Sequence, residues 1–582
     1  MSARLIVAVV AAVAAMAPLA PASAADQPKR IQLPPSSPVV PQIFQVHDLD
    51  ALPEHFTITA RQAIAIANRD SRIRGVLAEH PAAKSYPHLS ALQLAPGSFY
   101  HWDLQYRLRG KPIAEAEVGP TGVLYEVTTG IDVGWPLLKG YSGVLGRALN
   151  RPYIWLPLCL LFLLPFFDVR RPFRLLHLDL LVLLAFGVSQ IYFNRGRPDI
   201  SVPLVYPVLA YVAVRLLAIA LRPRQRTGSL VPHLPTWALG GLLALLVAAR
   251  IAFGIAGSAT FDISYAGVIG ADRITHGQEL YTDNEFHPDT YGPVNYLVYV
   301  PFEAVFPYKP GDEKLTAAIA ATLTFDLLVI IGLFVLGRRM IPGAAGTRLG
   351  LAFAVGWAAF PYTALLIASN TNDALVPLFV IWALVGLSSP IARGAALSLG
   401  TMAKFAPALL LPAFARSLGP MRLRAVLLYS AVMIAVAALV LVPVLPDGGL
   451  REFWNTTLGF QLGRTSPLSL WQREPSLQWL QTVLKVALAA VAVAAAFVPR
   501  RRTVGQVAAI SGALLAGSQL IANYWIYFYA AWLVPFVVIA ASVEYRRQAS
   551  ATSSFVKPVK MSQPSSVTAT RSSMRTPRLP GR

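Results

Sequence analysis

Long apolar stretches recur along most of the chain, and short polar or basic segments separate them. Eleven of these stretches approach the roughly 20 apolar residues that a membrane-spanning helix needs. They lie at 152–167, 175–193, 202–221, 236–256, 316–337, 347–366, 371–388, 424–445, 478–498, 503–522 and 525–543. Two further stretches, 292–308 and 391–415, are broken by proline and charged residues. The pattern predicts a polytopic α-helical membrane protein with about eleven spans and two partial or re-entrant segments.

The N-terminal end has a different pattern. Residues 1–24 combine Arg4, an apolar run and the small residues Ala22-Ser23-Ala24, which is typical of a cleaved secretory signal peptide. An uncleaved anchor helix is the alternative. Residues 25–45 are rich in Pro, Ser and Gln, and this composition predicts a linker.

Residues 46–140 predict a small α+β domain. Thr59 can cap a helix that continues to Asn68, and residues 100–108 alternate between large apolar and polar side chains, as a strand does. Residues 115–118 and 123–127 can pair as a hairpin around a Gly-Pro-Thr-Gly turn.

Composition and charge support the membrane class. The chain is 55% hydrophobic and only 14% charged, and its formal charge of +21 is concentrated in short loops and in the tail 546–582. Basic loops set orientation in membranes. We therefore interpret the positive charge as the signal that orients the helices in the membrane, and not as a sign of nucleic-acid binding. With domain 46–140 outside, about eleven crossings of the cell membrane leave the basic loops and the disordered tail in the cytoplasm. Cys159 is the chain's single cysteine, which excludes an intramolecular disulfide.

The loop 259–301 carries the candidate chemistry, because it is crowded with acids, aromatics and Gly-Pro turns. Asp262 directly follows the predicted fourth span, at the outer water boundary, where a carboxylate suits a general base. Asp272, His276 and Glu279 are spaced to share one face of a helix. Asp283 and Asp289 follow. The simpler alternative is that these acids are ordinary surface charges.

A set of motifs follows Asp262 and Tyr265 along the chain. They are Gly277-Gln278-Glu279-Leu280-Tyr281, Thr290-Tyr291-Gly292-Pro293, Ser369-Asn370-Thr371-Asn372-Asp373 and Gly400-Thr401-Met402-Ala403-Lys404-Phe405-Ala406-Pro407. In this order they resemble the GT-C superfamily of membrane glycosyltransferases, most of all the polyprenyl-phosphate-mannose-dependent group, glycosyltransferase family 87. The resemblance places a catalytic module at 236–545. It does not cover the N-terminal transmembrane spans at 150–235. This chain departs from the group in having a single Asp262, where relatives have adjacent paired acids, and Tyr-Gly-Pro in place of Tyr-Pro-Pro.

The N-terminal domain resembles PepSY-like domains. The resemblance rests on the helix at 59–68, on Trp102-Asp103-Leu104 and on Pro120-Thr121-Gly122-Val123 before Glu126-Val127. Such domains inhibit or sense partner proteins outside the membrane.

The GT-C resemblance implies inverting transfer of a sugar, mannose in that group, from a polyprenyl-phosphate donor to a glycolipid, glycan or protein acceptor on the outer membrane face. Asp262 would be the general base, and Asp272 is the second catalytic candidate. The implied substrate-binding residues are Tyr265, Arg273, Tyr281, Tyr291, Asn370, Asp373, Lys404, Arg464 and Arg473. The expected partners are membrane lipids, the lipid-linked donor and the acceptor. We expect no cofactor and no metal site; the external acids are compatible with a divalent cation, but no spacing demands one.

Two other classes of function stay open from sequence. A transporter or flippase of lipid-linked substrates would use Asp326 and Lys404 as charges at the membrane midplane. A sensor or scaffold would act through the PepSY-like domain. Asp326 is predicted to pair with Arg250 or Lys404, and the aromatic segment 523–529 is predicted to be an interfacial belt.

Overall fold

The computed structural model describes residues 30–31, 42–94, 97–135, 147–281, 289–309 and 315–545. The predicted signal peptide 1–24, the tail 546–582, the predicted domain end at 140 and Asp283 lie outside the described residues.

Residues 42–135 form a small α+β unit, in which a five-stranded antiparallel sheet packs against two helices. The sheet order is β2-β4-β5-β6-β7, and β1 pairs with β3 in a separate two-stranded sheet. The strands are β1 (Arg30–Ile31), β2 (Gln42–Gln45), β3 (Leu52–Pro53), β4 (Lys84–Leu94), β5 (Gly97–Leu108), β6 (Lys111–Val118) and β7 (Leu124–Thr129), and the helices are α1 (Ala60–Ala67) and α2 (Ser71–Glu79).

Local sequence explains this unit. The Thr59 side chain accepts a hydrogen bond from the Gln62 backbone amide and so caps α1. The Gln62 side chain in turn accepts a bond from the Thr59 backbone amide, which completes a capping box. Trp102 on β5 is fully buried, and its indole donates to the Ile58 carbonyl. The predicted linker 25–45 is wrong at its C-terminal end. The segment Gln42–Gln45 instead forms β2 and pairs with β4, because the edge of β4 offers backbone N–H and C=O groups for interstrand hydrogen bonds.

The rest of the described chain is helical. Its α-helices are α3 (Pro152–Leu163), α4 (Leu175–Leu184), α5 (Phe186–Phe193), α6 (Pro198–Leu221), α7 (Thr236–Gly257), α8 (Asp262–Thr275), α9 (Val294–Leu297), α10 (Val300–Glu303), α11 (Thr316–Met340), α12 (Gly343–Ala359), α13 (Pro361–Ala368), α14 (Leu375–Val385), α15 (Pro390–Ala403), α16 (Leu411–Phe414), α17 (Leu423–Leu441), α18 (Gly449–Trp454), α19 (Phe460–Gly463), α20 (Leu470–Arg473), α21 (Gln478–Ala494), α22 (Val504–Leu520) and α23 (Val534–Glu544). Short 3₁₀ segments include Arg147–Asn150, Ala406–Leu410 and Tyr527–Trp532.

Within the described ranges, seven helical stretches are long and apolar enough to cross a membrane, which is the mark of a polytopic helical membrane protein. They are Leu175–Phe193, Pro198–Leu221, Thr236–Gly257, Thr316–Met340, Leu423–Val444, Pro475–Ala494 and Tyr527–Glu544. An eighth arises if α12 and α13, which meet at a 57° bend, count as one span. The helices α3, α14 and α22 are apolar but shorter. The finer number of eleven spans stays a prediction.

Close backbone contacts and buried ion pairs join the helices. A Cβ added to Gly350 on α12 would lie 2.4 Å from the Phe334 carbonyl oxygen on α11, so only glycine fits this crossing. Asp326 on α11 pairs with Arg250 on α7 at 2.6 Å, which confirms one of the two predicted partners. These contacts hold together the helices α7, α11 and α12.

The two predicted interruptions both appear as breaks in helices. The stretch 292–308 consists of the single turns α9 and α10. The stretch 391–415 begins within α15, and this helix ends directly before Lys404. The chain then continues as a 3₁₀ segment and α16.

Candidate functional site

Asp262 is the first residue of α8, and the preceding chain is held in place by backbone bonds. The Ala259 and Phe261 amides donate to the carbonyls of Ala368 and Ser369, at 2.9 and 3.0 Å. The Asp262 carboxylate accepts the Ile263 amide at 2.6 Å. A carboxylate at a helix N-terminus is stabilised by the unpaired amides and the helix dipole. The fold therefore presents this acid at a fixed position.

Four other charged or aromatic groups surround Asp262 closely enough to influence its titration or that of its neighbours. Asp373 precedes α14, Lys404 follows α15, Arg464 follows α19, and Tyr291 precedes α9. We call these five residues the Asp262 cluster. They come from five separate parts of the chain, and all are among the predicted site residues.

Lys404 is already neutralised inside the cluster. Its ammonium donates to the Asp373 carboxylate at 2.7 Å, and both side chains are buried. It also lies 5.3 Å from the centre of the Tyr291 ring, within cation–π range. A buried pair of this kind keeps both charges only because each satisfies the other.

Gly292 brings Tyr291 to Lys404. A Cβ at Gly292 would lie 2.1 Å from the Met402 carbonyl oxygen, at the end of α15. Glycine is therefore required where the chain passes α15, and this contact accounts for Tyr-Gly-Pro in this sequence. The Tyr281 hydroxyl donates to the Tyr291 carbonyl at 3.0 Å and fixes the same turn.

Arg464 is held by aromatic rings. Its guanidinium lies 3.9 Å from the centre of the Tyr524 ring and 6.0 Å from that of Trp135. Among the described residues, no carboxylate lies within 4 Å of Arg464 or forms an ion pair with it. A guanidinium on an aromatic face keeps its N–H donors available for another acceptor.

Asp262 differs from Asp373 in its surroundings. Asp373 is buried, whereas Asp262 is exposed to solvent and has no ion-pair partner within the described part of the chain. Partial desolvation by the surrounding protein is the largest influence on the Asp262 pKa and raises it. The Ile263 amide and the charges of Arg464 and Lys404 oppose this rise. Asp262 is thus a solvent-exposed acid within range of the charges of Arg464 and Lys404.

Three other predicted substrate-binding residues lie in, or bond to, the segments that carry the cluster. Tyr281 and Asn370 are almost fully buried, and Tyr265 is half-buried against the apolar core. Asn370 adopts a left-handed backbone conformation with φ of 47°, and its amide donates to the Ser258 hydroxyl at 2.9 Å. Tyr281 and Asn370 position the loops, since their polar groups bond to the protein.

Three further predictions lie elsewhere. Asp272 is ten residues along α8 from Asp262, about 15 Å by helix rise, and pairs with His276 at 3.2 Å. The structure does not bring it to Asp262 as a second catalytic acid. Arg273 pairs with Asp289 at 2.8 Å, and Arg473 pairs with Asp132 of the N-terminal unit at 2.5 Å. Burial raises the pKa of Asp289 to about 7, against the opposing charge of Arg273.

The structure adds residues that the sequence pattern placed elsewhere. Tyr524 and Tyr529 lie beside the Asp262 cluster, within electrostatic range of Asp373 and Arg464. Tyr527 is buried and bonds to Ser189 at 2.6 Å. The interfacial belt at 523–529 stays a prediction, and the structure adds that two of its tyrosines lie beside the cluster. Their sequence signal, aromatics at the end of an apolar span, is the same for a belt and for a site.

Within the described residues, no three Asp, Glu, His or Cys side chains lie close enough to hold a metal ion. The positively charged side chains of the cluster are Lys404 and Arg464. A comparison of the sequence with models of known protein families finds no match, and neither does a comparison with curated proteins.

Proposed function

We propose that the chain is a membrane glycosyltransferase, which moves a sugar from a polyprenyl-phosphate donor to a hydroxyl acceptor at the outer face of the cell membrane. The observation that supports it is the Asp262 cluster, in which the exposed Asp262 lies near Arg464, whose guanidinium rests on an aromatic ring. Neither group has an ion-pair partner among the residues that the structure describes. The resemblance of the loop motifs to the GT-C superfamily suggests the donor class, with mannose as the sugar.

In the proposed reaction, the Asp262 carboxylate takes the proton of the acceptor hydroxyl. The acceptor oxygen forms a bond to the sugar C1, and the bond from C1 to the phosphate oxygen breaks with inversion. The electron pair leaves with the polyprenyl phosphate. Arg464 donates to the developing phosphate charge, because its donors form no ion pair among the described residues. Lys404 is neutralised by Asp373 and instead lies against the Tyr291 ring.

The proposed topology has eleven spans, with the N-terminal unit and the Asp262 loop outside and the C-terminal tail in the cytoplasm. In its support, the seven long stretches, the bent pair and the three shorter apolar helices coincide with the eleven predicted spans. The PepSY-like unit would then lie on the same side as the reaction.

The transporter alternative has less support. It uses Asp326 and Lys404 as free charges in the membrane, but Asp326 bonds to Arg250 and to the Trp357 indole at 2.7 Å, and Lys404 bonds to Asp373. Both charges are locked by buried partners.

The test uses the purified full chain, radiolabelled polyprenyl-phosphate-mannose and a membrane lipid extract as acceptor source. We expect label to move into lipid with the wild type and with Asp447→Asn, which removes an exposed acid elsewhere in the external loops. Asp262→Asn should lose about 10²–10⁴-fold in rate. Transfer that survives in Asp262→Asn would overturn the base assignment. Failure of the wild type with every lipid-linked sugar would overturn the proposed class.

A further inference from the structure

Three buried arginines gather at the end of the helices away from Asp262. Arg393 lies near the start of α15, eleven residues and about 16 Å before Lys404. Arg416 follows α16, and Arg502 precedes α22. Each is at most 6% exposed. We call these residues the arginine cluster.

The arginine cluster is bonded to backbone carbonyls. Arg502 donates to four of them, which belong to Ala413, Arg416, Ser417 and Ala495. Arg393 donates to the carbonyls of Leu387, Phe414 and Ala415, and Arg416 to that of Pro499. Carbonyls at helix C-termini carry partial negative charge, so they offset some of the positive charge.

Among the described residues, no carboxylate forms an ion pair with any member of the arginine cluster. The segments that build the arginine cluster, 374–446 and 475–543, contain no aspartate or glutamate at all. Burial and the neighbouring charges of Arg416 and Arg393 lower the pKa of Arg502 to about 9, which still leaves it protonated at neutral pH. Buried charges of one sign without a counter-charge are costly, and they favour an anion that approaches them.

A cavity gives such an anion access. It has a volume of about 300 Å³ and is lined by Arg393, Arg416 and Arg422 together with Ser388 and Ser417. Within the described part of the chain, the Arg416 Nε atom is buried and has no hydrogen-bond partner. Arg422 is exposed at the rim. The wall thus offers three guanidinium groups, one with an unused buried donor, and two hydroxyl-bearing side chains.

We propose that this cavity binds a phosphate group, either the headgroup of an anionic phospholipid or a soluble phosphate. Guanidinium groups match phosphate oxygens in geometry and charge. The basic loops around 416–424 are predicted to be cytoplasmic, where anionic lipids and soluble phosphates are both present. The proposal does not depend on the glycosyltransferase reaction.

The test measures binding to the purified full chain by native mass spectrometry and by thermal unfolding. Phosphatidylglycerol, phosphatidylcholine and inorganic pyrophosphate are added separately. We expect phosphatidylglycerol or pyrophosphate to bind and raise Tm, and phosphatidylcholine to bind more weakly. The first two ligands distinguish a lipid headgroup from a soluble phosphate.

The variants decide whether the cavity is the site. Arg422→Gln changes only the exposed rim and should weaken binding about tenfold, the effect of losing roughly 1.4 kcal/mol. Arg416→Gln should weaken binding to a similar extent, measured on the fraction of this variant that is folded. Arg338→Gln removes an exposed positive charge at the same end of the helices and should leave binding unchanged. Equal effects of Arg422→Gln and Arg338→Gln, or binding of neither anion, would overturn the proposal.

Discussion

Lys404 and Arg464 both lie near Asp262, but the protein neutralises only one of them. Lys404 is buried against Asp373, whereas Arg464 rests on the Tyr524 ring and keeps its donors free of carboxylates among the described residues. Positive charge that is preorganised and unpaired stabilises charge that develops during a reaction. Arg464 is therefore the residue on which the proposed reaction depends most after Asp262.

Replacing Arg464 tests this role. In the transfer assay, Arg464→Gln should lower kcat about 10²-fold, because the developing phosphate charge loses its donor. Arg451→Gln, which changes an exposed arginine in the same segment between α17 and α21, should behave as the wild type. An unchanged kcat in Arg464→Gln would remove this arginine from the proposed mechanism.

The pH profile tests the Asp262 environment. Desolvation by the surrounding protein, the largest influence, raises the pKa of Asp262, and the charge of Arg464 lowers it. A general base must be ionised, so kcat/KM should fall as the pH decreases through this raised pKa and reach a plateau above it. Arg464→Gln removes a cation that favours the carboxylate, so the acid limb should move to higher pH. If the acid limb of the Arg464→Gln profile stays at the same pH, the charge of Arg464 does not act on Asp262.

At the scale of helices and strands, local signals were sufficient for much of the fold. The capping box at Thr59 uses residues three apart, and the break before Lys404 follows from charge and proline inside an apolar stretch. The bend between α12 and α13 was not predicted, although Pro361 marks it. Asp272, the second catalytic candidate, lies on the same helix as Asp262, and helix rise alone separates the two by about 15 Å.

All five residues of the Asp262 cluster were predicted as site residues, whereas the aromatic rings around Arg464 were not. Residues at 262, 291, 373 and 404 were found through motifs, because they lie in loops next to apolar stretches. Tyr524 and Trp135 were not, since they approach Arg464 from opposite ends of the chain and no periodicity relates them. Contacts between such distant segments follow from the packing of helices and not from any local pattern.

Helix crossings offer a prediction about stability. Gly350→Ala should destabilise the protein by about 1–3 kcal/mol, because the added methyl group meets the Phe334 carbonyl and pushes α11 and α12 apart. Gly240→Ala on α7 is the matched control, since a Cβ there has no atom within 4 Å. Thermal unfolding should show a lower Tm for Gly350→Ala and an equal or higher Tm for Gly240→Ala. Equal Tm values would show that the crossing is not tightly packed.

At the scale of the whole molecule, the N-terminal unit touches the helical part next to the Asp262 cluster. Asp132 pairs with Arg473 at 2.5 Å, and Trp135 lies against both Arg464 and Tyr524. The unit therefore contributes an aromatic ring to the environment of the proposed phosphate-binding arginine. A domain attached only by a flexible linker would have no such contacts.

A double-mutant cycle measures this attachment. Asp132→Ala, Arg473→Ala and the double variant are compared by thermal unfolding and in the transfer assay. The pair is mostly buried, so we expect a coupling free energy of about 0.5–3 kcal/mol. Both single variants should also slow transfer, because Trp135 no longer holds Arg464 in place. The exposed pair Asp50–Arg61, which lies entirely within the N-terminal unit, is the control and should show little coupling and normal transfer. Equal coupling for the two pairs, together with unchanged transfer, would mean that the N-terminal unit does not support the Asp262 cluster.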